Sequence, residues 1–292
     1  MEKRTTKTNL KGKEVKMMKK IVFITMMCLM LSIGATAQAD FWTGTVYDGL
    51  GGSASNVQNF DWSSSGSGVA IGMGPFGTPF AVGTEFTFLY QAELIGLNDP
   101  LGNPIAFPGL TSTFEYTAVA AITEKVISFT NPVPGVFSVI FSTIGGNWAI
   151  LNDAPADSDV PSGFGFDNGT VAAFGTIGSD QLTFFSAVGN TGIGSTILEG
   201  LVTYADPLFL DPAAILFDFR FEGTLNYPPL DSTTVGFFIG PGNGFDYTVQ
   251  ANDLLLKVDG SSKFSVPEPS TILLLGIGLL GLGGLSRKRI RK

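Results

Sequence analysis

Short apolar and aromatic runs, separated by clusters of Gly, Pro, Asn and Asp, recur through residues 40–266 of this chain. No stretch there carries a capped 3.6-residue pattern over a dozen positions. Gly and Pro at that density interrupt helices and close turns, so the chain is restricted to short strands. Strands are predicted over 43–47, 68–73, 85–95, 113–120, 122–130, 137–143, 169–176, 182–187, 197–204, 215–225, 234–239 and 253–258. Alternation is clearest at Phe217-Asp218-Phe219-Arg220-Phe221-Glu222, with rings on one face and charge on the other. With no fixed repeat period to suggest a propeller or β-helix, the prediction is an all-β fold. It takes the form of a single large β-sandwich, jelly-roll-like, over 40–258. Ser63–Gly68 reads as a hairpin cap, and 259–266 reads as a linker.

Composition removes several chemistries. The chain has no His, and its single Cys28 lies in an N-terminal apolar run. Once that run is removed, disulfides, thiolate nucleophiles, His bases and the usual ligands of zinc, copper and haem go with it. Charge is segregated. Residues 40–266 hold four Lys/Arg (Lys125, Arg220, Lys257, Lys263) against 22 Asp/Glu, a net of −18. Such a body repels phosphate backbones, so nucleic acid is excluded as a partner.

The two ends read as addresses. Lys19-Lys20, the apolar run Ile21–Ile33 and Ala37-Gln38-Ala39 form the layout of a secretory signal peptide, residues 1–39, cut by signal peptidase after Ala39. Thirteen apolar positions are too few to span about 30 Å of hydrocarbon. Met26 and Met27 before Cys28 argue against a lipoprotein site. Residues 1–16 are unlike an n-region, and Met17-Met18-Lys19-Lys20 is a more ordinary start, so 1–16 reads as a mis-assigned start.

At the other end stand Pro267-Glu268-Pro269, an apolar run, and the basic cluster Arg287, Lys288, Arg289, Arg291 and Lys292. A helix over 270–286 would be about 25 Å long, barely spanning a bilayer such as the bacterial inner membrane. The basic cluster would stay cytoplasmic as a membrane stop, leaving the body outside. The prolines present an extended peptide to a processing enzyme. In that order these parts resemble the PEP-CTERM sorting signal of Gram-negative bacteria, also described as the ice-binding protein C-terminal domain. The resemblance implies a transient membrane anchor over 267–292. It implies recognition by exosortase, an integral-membrane protease or transpeptidase of bacteria that make exopolysaccharide. A GPI signal lacks the basic cluster, and the LPxTG of a sortase signal is absent. Gly276-Ile277-Gly278-Leu279-Leu280-Gly281 fits a dinucleotide fingerprint, but it lacks the βαβ context and reads as ordinary glycine in an apolar span. The body resembles flocculation-associated exopolysaccharide proteins at Thr123–Ser128 and Phe166–Thr170.

Candidate sites are few. Asp153, Asp157 and Asp159, with Asn152, Asp167 and Asn168 nearby, offer hard oxygen ligands for Ca²⁺, the one cofactor the sequence suggests. Pro161 breaks the EF-hand spacing, and a solvated acidic loop is the plainer reading. Trp42, Trp62 and Trp148, with Tyr47, Tyr90 and Tyr116, are either core or a sugar-stacking face, core being the commoner use. No GxSxG or SxxK marks a nucleophile, so no catalytic residues are assigned. The expectation is an exported surface or matrix protein, not an enzyme, with a structural or exopolysaccharide-associated role. A carbohydrate-binding module is the alternative, and a glycoside-active enzyme a more distant one.

Overall fold

The computed structural model describes residues 41–214, 217–228, 234–238 and 244–265. In chain order the strands are β1 (Gly44–Tyr47), β2 (Ser53–Val57), β3 (Asn59–Ala70), β4 (Glu85–Asn98) and β5 (Pro104–Ile105). There follow β6 (Glu115–Val133), β7 (Val136–Asp153), β8 (Thr170–Ile177), β9 (Leu182–Val188) and β10 (Thr191–Ala205). The last are β11 (Leu210–Asp211), β12 (Asp218–Tyr227), β13 (Thr234–Phe238), β14 (Gly244–Thr248) and β15 (Leu254–Ser265). Among the described residues no helix is long and apolar enough to cross a membrane. The expected signal helix with Ala37 and Ala39, and the expected span 270–286, lie outside the described residues.

The all-β class holds, but the two layers predicted as a jelly-roll sandwich are one sheet closed on itself. Its antiparallel order runs β12-β15-β3-β4-β6-β7-β8-β10, and β10 pairs back onto β12 from Gly192↔Tyr227 to Leu201↔Asp218. β9 continues the position of β8. Both pair with β7 on one side and β10 on the other, interrupted only by residues 178–181. The result is an eight-stave up-and-down barrel made of β3, β4, β6, β7, β8 with β9, β10, β12 and β15. Sandwich and barrel demand the same in–out alternation along each strand, so the sequence pattern does not separate them. Closure depends on long-range pairing.

The interior is filled by rings laid over glycines. Gly223 and Gly260 are register partners on β12 and β15, and the Phe221 ring lies over both. A Cβ at Gly260 would stand 2.5 Å from that ring, and one at Gly223 2.6 Å. Phe185 covers Gly192 and Gly194 of β10 in the same way, and Phe88 covers Gly68 of β3. Trp42, Phe60, Trp62 and Phe264 close one end, with Phe60 stacked on Trp62 at 6.3 Å. Phe76 is stacked on Tyr227 at 3.8 Å, beside Phe137 and Phe185 at the other end. A cavity of about 50 Å³ remains, lined among others by Trp62, Tyr90, Glu124 and Phe221. That is room for a few waters rather than a sugar ring, so the interior is a core. Trp42, Trp62, Trp148, Tyr90 and Tyr116 are all buried in it, which settles them as core aromatics.

Two further boundary expectations are corrected. Ser63–Gly68 does not cap a hairpin but lies within β3. Its pairing with β4 jumps from Trp62 to Ser67, so these small residues form an irregular stretch where β15 and β4 crowd the backbone. Residues 259–265 of the expected 259–266 linker are strand. Gly260 receives the Phe221 ring, Ser262 Oγ accepts from Trp62 Nε1 at 2.9 Å, and Phe264 is fully buried. Polar and glycine residues there fill stave positions, so the β domain runs to Ser265. Residues Asp40–Pro267 form one compact unit. Replacing Gly260 by Val should cost about 1–3 kcal/mol by overpacking against Phe221. A urea melt should show the loss, and a Gly260→Val variant as stable as the parent would contradict the ring-on-glycine account.

Candidate functional site

The polar features of the barrel fall in three places: an acidic group at one rim, a buried carboxyl within, and the junction where the last stave ends. At the rim, β6 begins at Glu115 and β7 ends at Asp153, and the two are register partners. The loop that leaves β7 folds back over Glu115. Its Oε1 accepts from Asp157 N and Ser158 N, each at 2.9 Å, and its Oε2 accepts from Ser158 Oγ. Asn152 Nδ2 donates to the Glu115 carbonyl at 3.2 Å, and Asn168 Nδ2 donates to the Asp157 carboxylate at 3.0 Å. One carboxylate oxygen from each of Glu115, Asp153 and Asp157 lies within 4.8 Å of the others.

Asp153 and Asp157 of the sequence-predicted set are thus brought together, and Asp159 is not. The Asp159 carboxylate accepts from Ser162 N at 3.2 Å in a separate turn. Asp167 also stands apart, with burial and then the charge of Asp246 raising its carboxyl. Glu115 was missed because it lies far away in sequence and opens a strand that reads as core. Its only local signal is an acidic residue ahead of an apolar run. Burial raises the Glu115 carboxyl despite its hydrogen bonds. Burial, and then the Glu115 charge, pushes Glu93 up to about 7. The described ion pairs, Lys125–Glu85, Arg220–Glu199, Arg220–Glu222 and Lys263–Glu222, lie elsewhere. These converging carboxylate oxygens, without a cation among their described partners, could hold a hard cation such as Ca²⁺.

Inside the barrel, Glu124 is buried, with its Oε1 accepting from Thr183 Oγ1 at 2.9 Å. Thr183 Oγ1 in turn shares a 2.8 Å hydrogen bond with Thr196 Oγ1. Desolvation pushes Glu124 up to about 7, offset in part by the Thr183 bond.

The third place is the end of β15. There Phe41 bridges to Ser265, Trp42 N donates to Phe264 O at 2.9 Å, and Lys263 Nζ lies 4.7 Å over the Phe41 ring. The next residues in the chain are Val266 and the Pro267-Glu268-Pro269 tripeptide. Against known families, residues 265–289 match the PEP-CTERM protein-sorting motif. The chain carries an exosortase sorting signal. This PEP-CTERM motif starts at Ser265, the residue where the barrel stops. It implies export, a membrane-anchored sorting segment and a surface or extracellular destination. No curated protein matches the chain, and no solved structure does. Pro267, Glu268 and Pro269, and the stop residues Arg287, Lys288, Arg289, Arg291 and Lys292, lie outside the described residues.

Glu124 predicts a pH dependence. Its folded-state pKa stands above the unfolded value, so the folded barrel holds the proton longer. Below the unfolded carboxylate range both states are protonated and nothing is lost. As pH rises towards 7 the unfolded chain ionises first, and stability falls by on the order of 3 kcal/mol before levelling off. Glu124→Gln keeps an acceptor for Thr183, so it should flatten that decline and raise the melting temperature at pH 8. Melting curves from pH 4 to 8 check this, and an unchanged slope in the variant would count against the assignment.

Proposed function

We propose that this PEP-CTERM protein is a non-enzymatic structural component of the extracellular matrix, associated with exopolysaccharide and processed by exosortase. The observation that carries the reading is the direct joining of the sorting motif to a closed, filled barrel, with no intervening linker. Such a body offers a rigid outer wall rather than an open cleft. A glycoside-active site needs two carboxyls open to a sugar ring, whereas the loop leaving β7 folds over Glu115 and donates three hydrogen bonds to it. The lone pairs that remain can meet a small cation but not a sugar. Signal peptidase, exosortase, transient contact with the inner membrane and exopolysaccharide are the partners of this reading. Replacing Pro267, Glu268 and Pro269 together with Ala should leave a heavier, membrane-bound form and remove the protein from the matrix fraction. Fractionation with immunoblotting reads this out. A triple variant that reaches the matrix at the parental level and size would defeat the sorting assignment.

Calcium is a second reading, favoured by the convergence of Glu115, Asp153 and Asp157. Burial is the main reason Glu93 and Glu115 are raised, and a cation there would offset the smaller repulsion added by Glu115 on Glu93 and by Asp157 on Glu115. The melting temperature should therefore rise by several degrees in millimolar Ca²⁺. Asp153→Asn combined with Asp157→Asn should abolish the rise. An unchanged melting temperature in the parent protein would dispose of the site.

A further inference from the structure

The outer wall of the barrel is not uniform. On β12 the outward side chains are Asp218, Arg220, Glu222, Thr224 and Asn226, as expected for a wetted strand. On the adjoining β10 they include Ile193, Ile197, Leu201 and Tyr204, exposed by 60%, 45%, 38% and 38%. β9 adds Leu182, Phe184 and Val188, and Phe184 is 44% exposed. Scattered surface apolar residues are ordinary, whereas a contiguous series is not. Here the pairing makes them contiguous. Phe184 is the register partner of Ser195, which sets its ring diagonally between Ile193 and Ile197. Tyr204 stacks on Phe174 of β8 at 5.3 Å and 20°. From Ile193 to Tyr204 the series runs about 35 Å along one stave at about 3.3 Å per residue.

Its middle is also polar, and fixed. A groove of about 410 Å³ is lined by Leu182, Phe184 and Ile197 together with Gln181, Glu199 and Arg220. Gln181 Nε2 donates to the Glu199 carbonyl at 2.6 Å, and its Oε1 accepts from Glu199 N. Arg220 is clamped between Glu199 at 2.7 Å and Glu222 at 2.8 Å. These side chains are held in place before any ligand arrives, which lowers the entropy cost of binding.

We infer that the β9–β10 wall is a binding track for a linear, uncharged glycan. The inference rests on the exopolysaccharide-associated function proposed above and names the surface that carries it. Sugar rings present C–H faces suited to Phe184, Ile197 and Ile193, and hydroxyls suited to Arg220, Glu199 and Ser195. The length and narrowness of the series fit an extended polymer rather than a compact ligand. The body's net charge of −18 opposes a polyanion. The Arg220 charge is already matched by two carboxylates, so the track offers no free cation to an acidic sugar. A second copy would bring the same acidic flank, with Glu199 and Glu222, against itself. A lipid surface would bury Gln181, Ser195 and Glu199.

The test uses the full chain in detergent, with affinity electrophoresis in gels containing hydroxyethyl cellulose or another linear neutral glucan, the producing organism's own exopolysaccharide, or alginate. The parent protein should be retarded by neutral glucan and not by alginate. Phe184→Ser combined with Ile197→Thr should weaken that retardation at least tenfold while leaving the circular dichroism unchanged. Ile193→Lys, at a more exposed position, should do the same if the double variant folds poorly. Retardation of the parent that persists in all variants would overturn the track while leaving the exopolysaccharide reading intact. No retardation by any polysaccharide, the organism's own included, would remove both. Light scattering that showed a dimer dissociated by these substitutions would overturn the track in favour of self-association, as would retardation by alginate alone.

Discussion

An eight-stave barrel encloses a volume that side chains must fill, and in this chain the filling is done by phenylalanine rings resting on glycine backbones. Phe221 over Gly223 and Gly260, Phe185 over Gly192 and Gly194, and Phe88 over Gly68 do two things at once. Glycine removes the Cβ that would stop a ring from lying flat on the sheet. The ring then replaces the apolar surface that glycine lacks. Part of the abundance of Gly and Phe in this sequence therefore reflects one packing solution, which closure of β10 onto β12 uses, while glycines such as Gly77 and Gly102 serve positive-φ turns.

Filling the interior pushes recognition outward. With the Trp residues, Tyr90 and Tyr116 committed to the core, the surfaces left for partners are the rim loops and the outer wall. The rim gathers carboxylates that repel one another, and the wall gathers apolar side chains that water does not favour. Both are small local costs in stability, and costs of that kind concentrate where a protein meets a ligand. The closed ring also leaves the long staves without free hydrogen-bonding edges, which removes a template for edge-to-edge aggregation.

Much of this was legible in the sequence. The strand segments at 85–95, 169–176 and 182–187 are close to β4, β8 and β9, because each is a short apolar or aromatic run bounded by Gly, Asp or Asn. The strand boundaries depart from the sequence pattern where glycine and serine fill strand positions rather than turns or linkers. β3 passes straight through Ser63–Gly68, and β15 continues through Asp259-Gly260-Ser261-Ser262 to Ser265. In each case a ring or indole from another stave supplies what the small residue lacks, and no local window contains that partner. The 113–120 and 122–130 strands are one strand for a related reason, since Ala121 is a sheet residue facing β4 rather than a break. Of the acidic group, Asp153 and Asp157 were visible as neighbours in sequence. Glu115 was not, because only the antiparallel register of β6 and β7 places it beside them.

Destination, fold class and the exclusion of histidine chemistry are written into local features of this chain: the sorting motif over 265–289, the turn-punctuated apolar runs, and the lack of His. Each of these is recognised over a few residues or by composition, so one dimension suffices. Closure into a barrel, burial of the tryptophans, convergence of Glu115 with Asp153 and Asp157, and alignment of Phe184 with Ile193 and Ile197 arise otherwise. They come from pairings between strands that are distant in the chain, set by which registers let rings and glycines fill one enclosed volume.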